Sequence, residues 1–155
     1  MSRARGFTLV EMMVAVGVAS LLVLLAAPRI RSATNRSNIR SARGTVITMF
    51  QQAKIRAIQE SRKTTLNFNN STGTAWITAQ PRRSSGAATC KCDTVGTTQN
   101  LVNLYGVTVN AAPLTFTFDP RGLGVLRTDN AMKVGLTRSD MKDSVMIGGF
   151  GEVSK

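Results

Sequence analysis

One acidic side chain lies inside a long apolar run near the start of this chain. Between Phe7 and Ala27 the only charged residue is Glu11. A carboxylate at the centre of a bilayer costs about 2.5–3.5 kcal/mol on insertion scales, so such a charge is kept where a partner for it appears later. Glu11 therefore indicates an assembly in which the carboxylate becomes paired, rather than a simple membrane anchor.

Residues for catalysis or metal binding are scarce elsewhere. The chain has no histidine, which is the commonest general base and metal ligand. Cys90 and Cys92 are separated by one residue, so a bond between them would close a strained ring, and free thiols are the equal alternative. Asp140 and Asp143 have basic neighbours, which indicates a mixed-charge surface. We therefore expect no enzymatic activity, no metal and no cofactor.

Basic residues dominate the charge of the chain. Twenty lysines and arginines against eight acidic residues give a net charge of +12 in 155 residues. Nine of the basic residues lie between Arg29 and Lys63, where Glu60 is the only acid, and Arg82 and Arg83 follow in a polar stretch. Such a surface can meet anionic lipid headgroups, nucleic acid or an acidic partner, and it can equally be a solvated helix face.

The apolar run is long enough to cross a membrane. As a helix, Phe7–Ala27 would extend about 31 Å, close to the hydrocarbon thickness of a bilayer. Pro28 follows at once, which is a poor match to the cleavage site of a secretory signal. Arg3 and Arg5 precede the run and favour a cytoplasmic N-terminus, but the arginines that follow the run weaken this charge bias.

The residues at the start of the run carry a family resemblance. The sequence RGFTLVE at residues 5–11 resembles the class III signal of type IV pilins and type II secretion pseudopilins. The resemblance implies that a prepilin peptidase cuts between Gly6 and Phe7 and that Phe7 becomes N-methylated. It also implies that Glu11 is the family's buried glutamate and that Pro28 is its helix-kinking proline.

Beyond the run, the hydrophobic spacing predicts an amphipathic helix over residues 28–62. Apolar residues recur at intervals of three and four, and Ile47, Ile55 and Ile58 broaden the stripe. Gly44 weakens the helix interior by about 0.8–1 kcal/mol relative to alanine. The stripe predicts packing against a sheet, and its members are Ile39, Ala42, Val46, Met49, Phe50, Ala53 and Ala57.

After Lys63 the hydrophobic period changes to two, which predicts strands. The predicted fold class is α+β, with a long N-terminal helix, half transmembrane and half amphipathic, packed on an antiparallel β-sheet. The turn signal DPRG begins at Asp119. A long loop is expected over residues 81–100, and strands are expected at 64–68, 74–80, 101–109, 114–118, 125–128, 132–137 and 144–147.

This order of elements resembles the GspH/FimT group of minor pilins and pseudopilins. Residues 52–58 are similar to the group's helix segment before the first strand, and residues 116–122 are similar to its later strand-and-turn element. Members of the group that bind DNA end in a Gly-Arg-x-Arg-like tail. Here Glu152 stands where an arginine would be, and only Lys155 is basic. A carboxylate repels phosphate, so this tail argues against DNA binding.

The sequence therefore predicts three parts: a leader over residues 1–6, a transmembrane and filament-core helix over residues 7–27, and a pilin-like globular domain over residues 28–155. The resemblance implies a non-catalytic minor pilin or pseudopilin that primes or caps assembly of a type IV pilus or type II secretion pseudopilus. It implies a bacterial inner-membrane protein with a periplasmic C-terminal domain. The implied partners are prepilin peptidase, other pilin subunits and inner-membrane lipid.

Two other hypotheses remain. The first is a DNA-binding minor pilin used for DNA uptake in natural transformation, in which Arg82, Arg83 and Lys155 are the candidate DNA contacts. It is favoured by the basic charge and opposed by the altered tail. The second is a lone membrane-anchored domain, which leaves Glu11 without an explanation.

Overall fold

The structure, a computed structural model, describes residues 8–81, 93–125, 131–148 and 152–154. The chain divides into two compact units, Met1–Arg36 and Ser37–Lys155. Its elements in chain order are α1 (Leu9–Gln59), β1 (Thr64–Asn69), β2 (Thr74–Ala79), β3 (Asp93–Asn100), α2 (Leu101–Tyr105), β4 (Thr108–Ala112), β5 (Thr115–Phe118), β6 (Gly124–Val125), β7 (Met132–Arg138), β8 (Met141–Ile147) and β9 (Val153–Ser154).

The strands of the second unit form two antiparallel sheets. One sheet has five strands in the order β3-β2-β1-β5-β6, and the other has four in the order β4-β7-β8-β9. Every neighbouring pair is antiparallel. The predicted α+β class is confirmed, and the strands expected in one sheet are shared between two.

The amphipathic part of α1 packs on these sheets through one face. All seven members of the predicted stripe are buried, and they share one core with side chains from both sheets. The expectation that Ile55 and Ile58 broaden this stripe is wrong, because they are 50% and 48% exposed. Successive residues are about 100° apart around a helix, and these two positions lie outside the buried face.

Three phenylalanines form the centre of this core. The ring of Phe50 on α1 lies 5.3 Å from that of Phe116 and 4.9 Å from that of Phe118, both on β5. The two β5 rings are 5.0 Å apart. Tilted and edge-to-face contacts at these distances add about 0.5–1.5 kcal/mol per pair beyond the area that the rings bury. The cluster joins the helix to β5, the strand between β1 and β6 in the five-stranded sheet.

Two predictions for the segment around Asn100 are wrong. Residues 93–100 form β3 rather than loop, and Leu101–Tyr105 is the short helix α2 rather than the start of a strand. Asn100 caps α2, since its Oδ1 accepts from the Asn103 amide at 2.9 Å, and Gly106 ends the helix with φ 61°. These two caps override the strand preference of the apolar residues between them.

The C-terminus of α1 ends in a Schellman motif. The Arg62 amide donates to the Ala57 carbonyl, and the Ser61 amide donates to the Ile58 carbonyl, both at 3.2 Å. Ser61 takes the left-handed position with φ 49°, which glycine usually occupies. Glu60 is ion-paired with Arg62 and Arg56. The hydrogen bond from Arg62, assisted by Arg56, holds the pKa of Glu60 below its usual value.

Candidate assembly site

The N-terminus of α1 is built around Thr8 and Glu11. The Glu11 amide donates to Thr8 Oγ1 at 3.2 Å, and the Met12 amide donates to the Thr8 carbonyl at 3.2 Å. Thr8 is therefore the N-cap, and Glu11 occupies the third helical position, as in a Thr-x-x-Glu capping box. A carboxylate in the first turn is also favoured by the helix macrodipole. This cap was not predicted from the sequence, although the Thr-x-x-Glu spacing is a known signal for it.

The Glu11 carboxylate has no ion pair or hydrogen bond to any residue in the described part of the chain. The ion pairs found there belong to Arg43, Arg56 and Arg62. The residues one turn further along the helix, Val14 and Ala15, are apolar and cannot satisfy the charge. A cation for Glu11 would therefore have to come from residues outside the described ranges or from another molecule.

Apart from Glu11, the first part of α1 is apolar around its circumference. Its large hydrophobic side chains are each more than half exposed, and in the described residues α1 is the one helix long and apolar enough to cross a membrane. A helix that is apolar all round is normally surrounded by lipid or by other protein. The exposed side chains are Leu9, Val10, Met12, Met13, Val14, Val16, Val18, Leu21, Leu22, Val23, Leu24 and Leu25.

Pro28 lies inside α1 rather than at its end. The helix continues through it to Gln59. Proline lacks an amide hydrogen, so the carbonyl of Leu24 has no donor four residues later, and the helix is locally weakened. Exposed arginines begin at once, with Arg29 and Arg31. The apolar segment is thus bounded by a capped start and by a weakened, basic end.

Several predicted site residues lie outside the described ranges. Gly6, Phe7, Arg82, Arg83 and Lys155 are among them, so the cleavage site and the candidate DNA contacts stay predictions. Both cysteines lie outside these ranges as well. Glu152 is described and exposed, and its carbonyl accepts from the Gly148 amide at 2.7 Å.

The two stretches that resemble the GspH/FimT group meet in the structure. Asp119 organises the turn after β5, since its Oδ1 accepts from the Arg121 amide at 3.0 Å and the Leu123 amide at 2.8 Å. Gly122 in this turn has φ 78° and is buried. A Cβ at Gly122 would lie 2.7 Å from Ile58 Cδ1, so only glycine fits the observed packing. The turn can therefore pack closely against Ile58 of α1 because residue 122 has no Cβ.

Of the two aspartates considered for catalysis, Asp140 and Asp143, only Asp143 makes contacts that support the fold. Asp143 on β8 pairs with Arg43 on α1 at 3.7 Å, and its Oδ1 accepts from the Ser144 amide. Asp140 is exposed in the turn before β8. Within the described ranges, no group of three or more acidic or cysteine residues is close enough to hold a metal ion.

Comparison with known proteins concerns the N-terminal motif and the fold. The family described as the prokaryotic N-terminal methylation motif matches residues 1–27. The crystal structure of the type IV minor pilin FimU from Pseudomonas aeruginosa PAO1 superposes with a TM-score of 0.55 at 18% identity, over 78% of this chain and 90% of that one. The chain has a type IV pilin-like fold.

The pilin-like fold has a second structural relative. The minor pseudopilin EpsH from the type 2 secretion system of Vibrio cholerae superposes with a TM-score of 0.50 at 8% identity, over 76% of this chain and 94% of that one. No curated protein sequence matches the pilin-like chain. The methylation motif and the apolar part of α1 together indicate a membrane-anchored pilin-like protein.

Proposed function

We propose that this chain is a non-catalytic minor pilin or pseudopilin that primes or caps assembly of a type IV pilus or type II secretion pseudopilus. The observation that carries the proposal is Glu11, a single carboxylate at the start of an exposed apolar helix and inside a methylation motif. A lone anchor needs no such charge. An assembling subunit needs a signal that fixes its position among otherwise similar apolar helices.

Processing of the N-terminus would create a cation that can pair with the Glu11 carboxylate. Cleavage between Gly6 and Phe7 by prepilin peptidase removes residues 1–6, and methylation leaves Phe7 with a cationic secondary amine. This cation lies at the start of α1 in every processed subunit. The remaining parts are the filament-core helix over residues 7–27 and the globular domain over residues 28–155.

Assembly exchanges lipid for protein contacts. In the inner membrane, lipid surrounds the apolar side chains of residues 9–25, and the C-terminal domain lies in the periplasm. In the filament, the same side chains pack against other subunits, and the carboxylate of Glu11 meets the Phe7 ammonium of a neighbour. An unpaired charge in an apolar core is costly, so one axial register is favoured over the others.

The intact mass of the membrane-extracted protein tests the processing step. Cells that contain the peptidase should yield a chain that begins at methylated Phe7. Gly6→Leu should block cleavage, because a side chain before the cut obstructs the peptidase. Gly17→Leu is the matched control, since a Cβ there meets nothing within 4 Å in the described structure. A chain that still begins at Met1 in such cells would refute the proposal.

A second candidate function is DNA binding during natural transformation. The observation that favours it is the net charge of +12. Arg82, Arg83 and Lys155 are the proposed contacts, and inner-membrane lipid is the competing anionic partner for the arginines after the apolar segment. The exposed carboxylate of Glu152 opposes DNA at the C-terminal tail. The assembly role is therefore the main proposal.

A further inference from the structure

Three exposed arginines follow the apolar segment of α1. Arg29, Arg31 and Arg36 all belong to the first compact unit of the chain. None of their guanidinium groups makes an ion pair or a hydrogen bond to a residue in the described ranges. Their positive charges are therefore available to an anionic group that the described part of the chain does not supply.

Arg29 lies at the depth of lipid headgroups when the apolar segment spans a membrane. From Leu9 to Ala27 the helix extends about 28 Å, close to the hydrocarbon thickness of about 30 Å. The headgroup layer adds about 5–8 Å on each side of the hydrocarbon. Arg29 is about 3 Å beyond Ala27 along the helix axis, so its guanidinium reaches the phosphates of the leaflet at the C-terminal end of the segment.

Arg29 also lines a shallow groove on the apolar segment. The groove has a volume of about 430 Å³, and its lining residues are Leu22, Leu25, Ala26 and Arg29. These four residues are separated by intervals of three and four, so they share one side of the helix. Both leucines are exposed, so this side is open in the described structure. One end of the groove is therefore cationic, and the rest is apolar.

The other two arginines differ in their position around the helix. Arg36 comes seven residues after Arg29, which returns it to within about 20° of the same side, about 10 Å further along the axis. Arg31 is about 160° away from Arg29 around the helix, although it lies at nearly the same depth. Arg36 therefore adds positive charge on the side of the groove, and Arg31 lies on the opposite side.

We propose that this groove binds an anionic phospholipid, with the phosphate on Arg29 and an acyl chain beside the two leucines. A guanidinium donates two parallel hydrogen bonds to a phosphate, and the positive charge of Arg36 disfavours a zwitterionic headgroup, whose ammonium would approach it. DNA or an acidic protein matches the charge of the groove but not its apolar part, whereas a phospholipid matches both. The proposal rests on the proposed function, because it takes the apolar segment to lie in the membrane before assembly.

Photolabelling by lipids tests this site in the full-length chain. The chain is reconstituted in phosphatidylcholine vesicles with a small fraction of phosphatidylglycerol or phosphatidylcholine that carries a photoreactive acyl chain, and mass spectrometry identifies the labelled residues. We expect the phosphatidylglycerol probe to label the groove residues roughly fivefold more than the phosphatidylcholine probe does. Equal labelling overturns the inference and leaves the proposed function intact, because no other subunit is present. A chain that does not float with the vesicles overturns both, since both require a membrane-inserted helix.

Arg29→Gln separates the groove from the general charge of the helix. Glutamine is a good helix former without a charge, so the variant should still float with the vesicles, while phosphatidylglycerol labelling of the groove falls roughly fivefold. Arg31→Gln is the matched control, because it makes the same charge change at nearly the same depth on the opposite side, and it should leave this labelling unchanged. An equal fall in both variants would refute a site in the groove. Excess glycerol phosphate should not displace the probe, since it has no acyl chain, and displacement would show a phosphate site rather than a lipid site.

Discussion

At the scale of single residues, Glu11 has two roles that must be separated. Its backbone amide donates to Thr8 Oγ1, so Glu11 lies in the capped first turn of α1, where the helix macrodipole favours its carboxylate. Its charge, in an apolar segment, is the feature that we assign to assembly. The capping role alone would make Glu11 a folding residue and would leave the filament register unspecified.

The variants Glu11→Gln and Glu11→Ala distinguish the two roles. Glutamine keeps the capacity for a capping box but removes the charge, and alanine removes both. Both variants should insert into the membrane, because an uncharged side chain is less costly there. Both should fall at least fivefold in sheared filaments, as measured by quantitative immunoblotting. Normal incorporation of Glu11→Gln would refute the ion pair and favour the cap.

Ser61→Gly should stabilise the folded domain by about 0.5–1 kcal/mol. Ser61 has φ 49°, a conformation that costs little for glycine and more for any residue with a Cβ. The measurement is the denaturant midpoint of the detergent-solubilised chain. Ser41→Gly is the control with the opposite sign, because Ser41 lies in the interior of α1, where glycine is less favourable than serine. A change in the free energy of unfolding in the same direction for both variants would contradict this prediction.

At the scale of elements, α1 was the most predictable part of the chain. Apolar residues that recur every three or four positions predicted all seven of its buried side chains. Such a pattern is reliable because one face of a helix keeps the same environment over several turns. Ile55 and Ile58 were misassigned because an apolar side chain can be exposed, and sequence alone does not show how far the sheet reaches.

The short elements were less predictable, for a physical reason. α2 has five residues, too few for a periodic pattern, and its caps at Asn100 and Gly106 are the main signal. β3 is polar and exposed, so it lacks the alternation that marks a half-buried strand. The division into two sheets depends on long-range pairing, such as that of β1 with β5, which local sequence does not encode.

Gly122→Ala should destabilise the domain by about 1–2 kcal/mol. Alanine is strained at φ 78°, and its Cβ would press on Ile58 of α1. Thermal unfolding monitored by circular dichroism measures the loss. Gly44→Ala is the matched control, because it adds the same methyl group to open space in a helix and should raise the Tm. An unchanged Tm in Gly122→Ala would show that the contact between the turn and α1 does not require glycine.

At the scale of the whole molecule, the candidate site consists of residues on α1 and of residues outside the described ranges. The sequence identified Glu11 and Pro28, and the structure places both on α1. The cleavage site and the arginine pair at residues 82–83 lie outside the described ranges and stay predictions. The net charge of +12 is a property of the entire chain, so it favours anionic partners without selecting among them.

DNA binding by the processed chain should be weak and strongly salt-dependent. Binding through phosphate contacts releases counterions, so affinity falls as salt rises. Replacing both Arg82 and Arg83 with glutamate should reduce the affinity for DNA more than Lys155→Ala does. If both arginines contact phosphate, the magnitude of the negative slope of log K against log salt should also decrease by about 2. Gel shifts over a range of salt measure this. Tight, length-dependent binding that the arginine pair abolishes would favour DNA uptake over the assembly role.

The three-phenylalanine cluster also sets an order of events during biosynthesis. Phe50 is made early, but the two rings that enclose it belong to β5, which is made only after β1, β2, β3 and β4. Because synthesis proceeds from the N-terminus, Phe50 lacks its two β5 partners while residues 51–114 are being made. A nascent chain that stops before Thr115 can form the helix but cannot close its core. The interval before β5 emerges is therefore the period when this subunit is most exposed to chaperones, proteases and premature association.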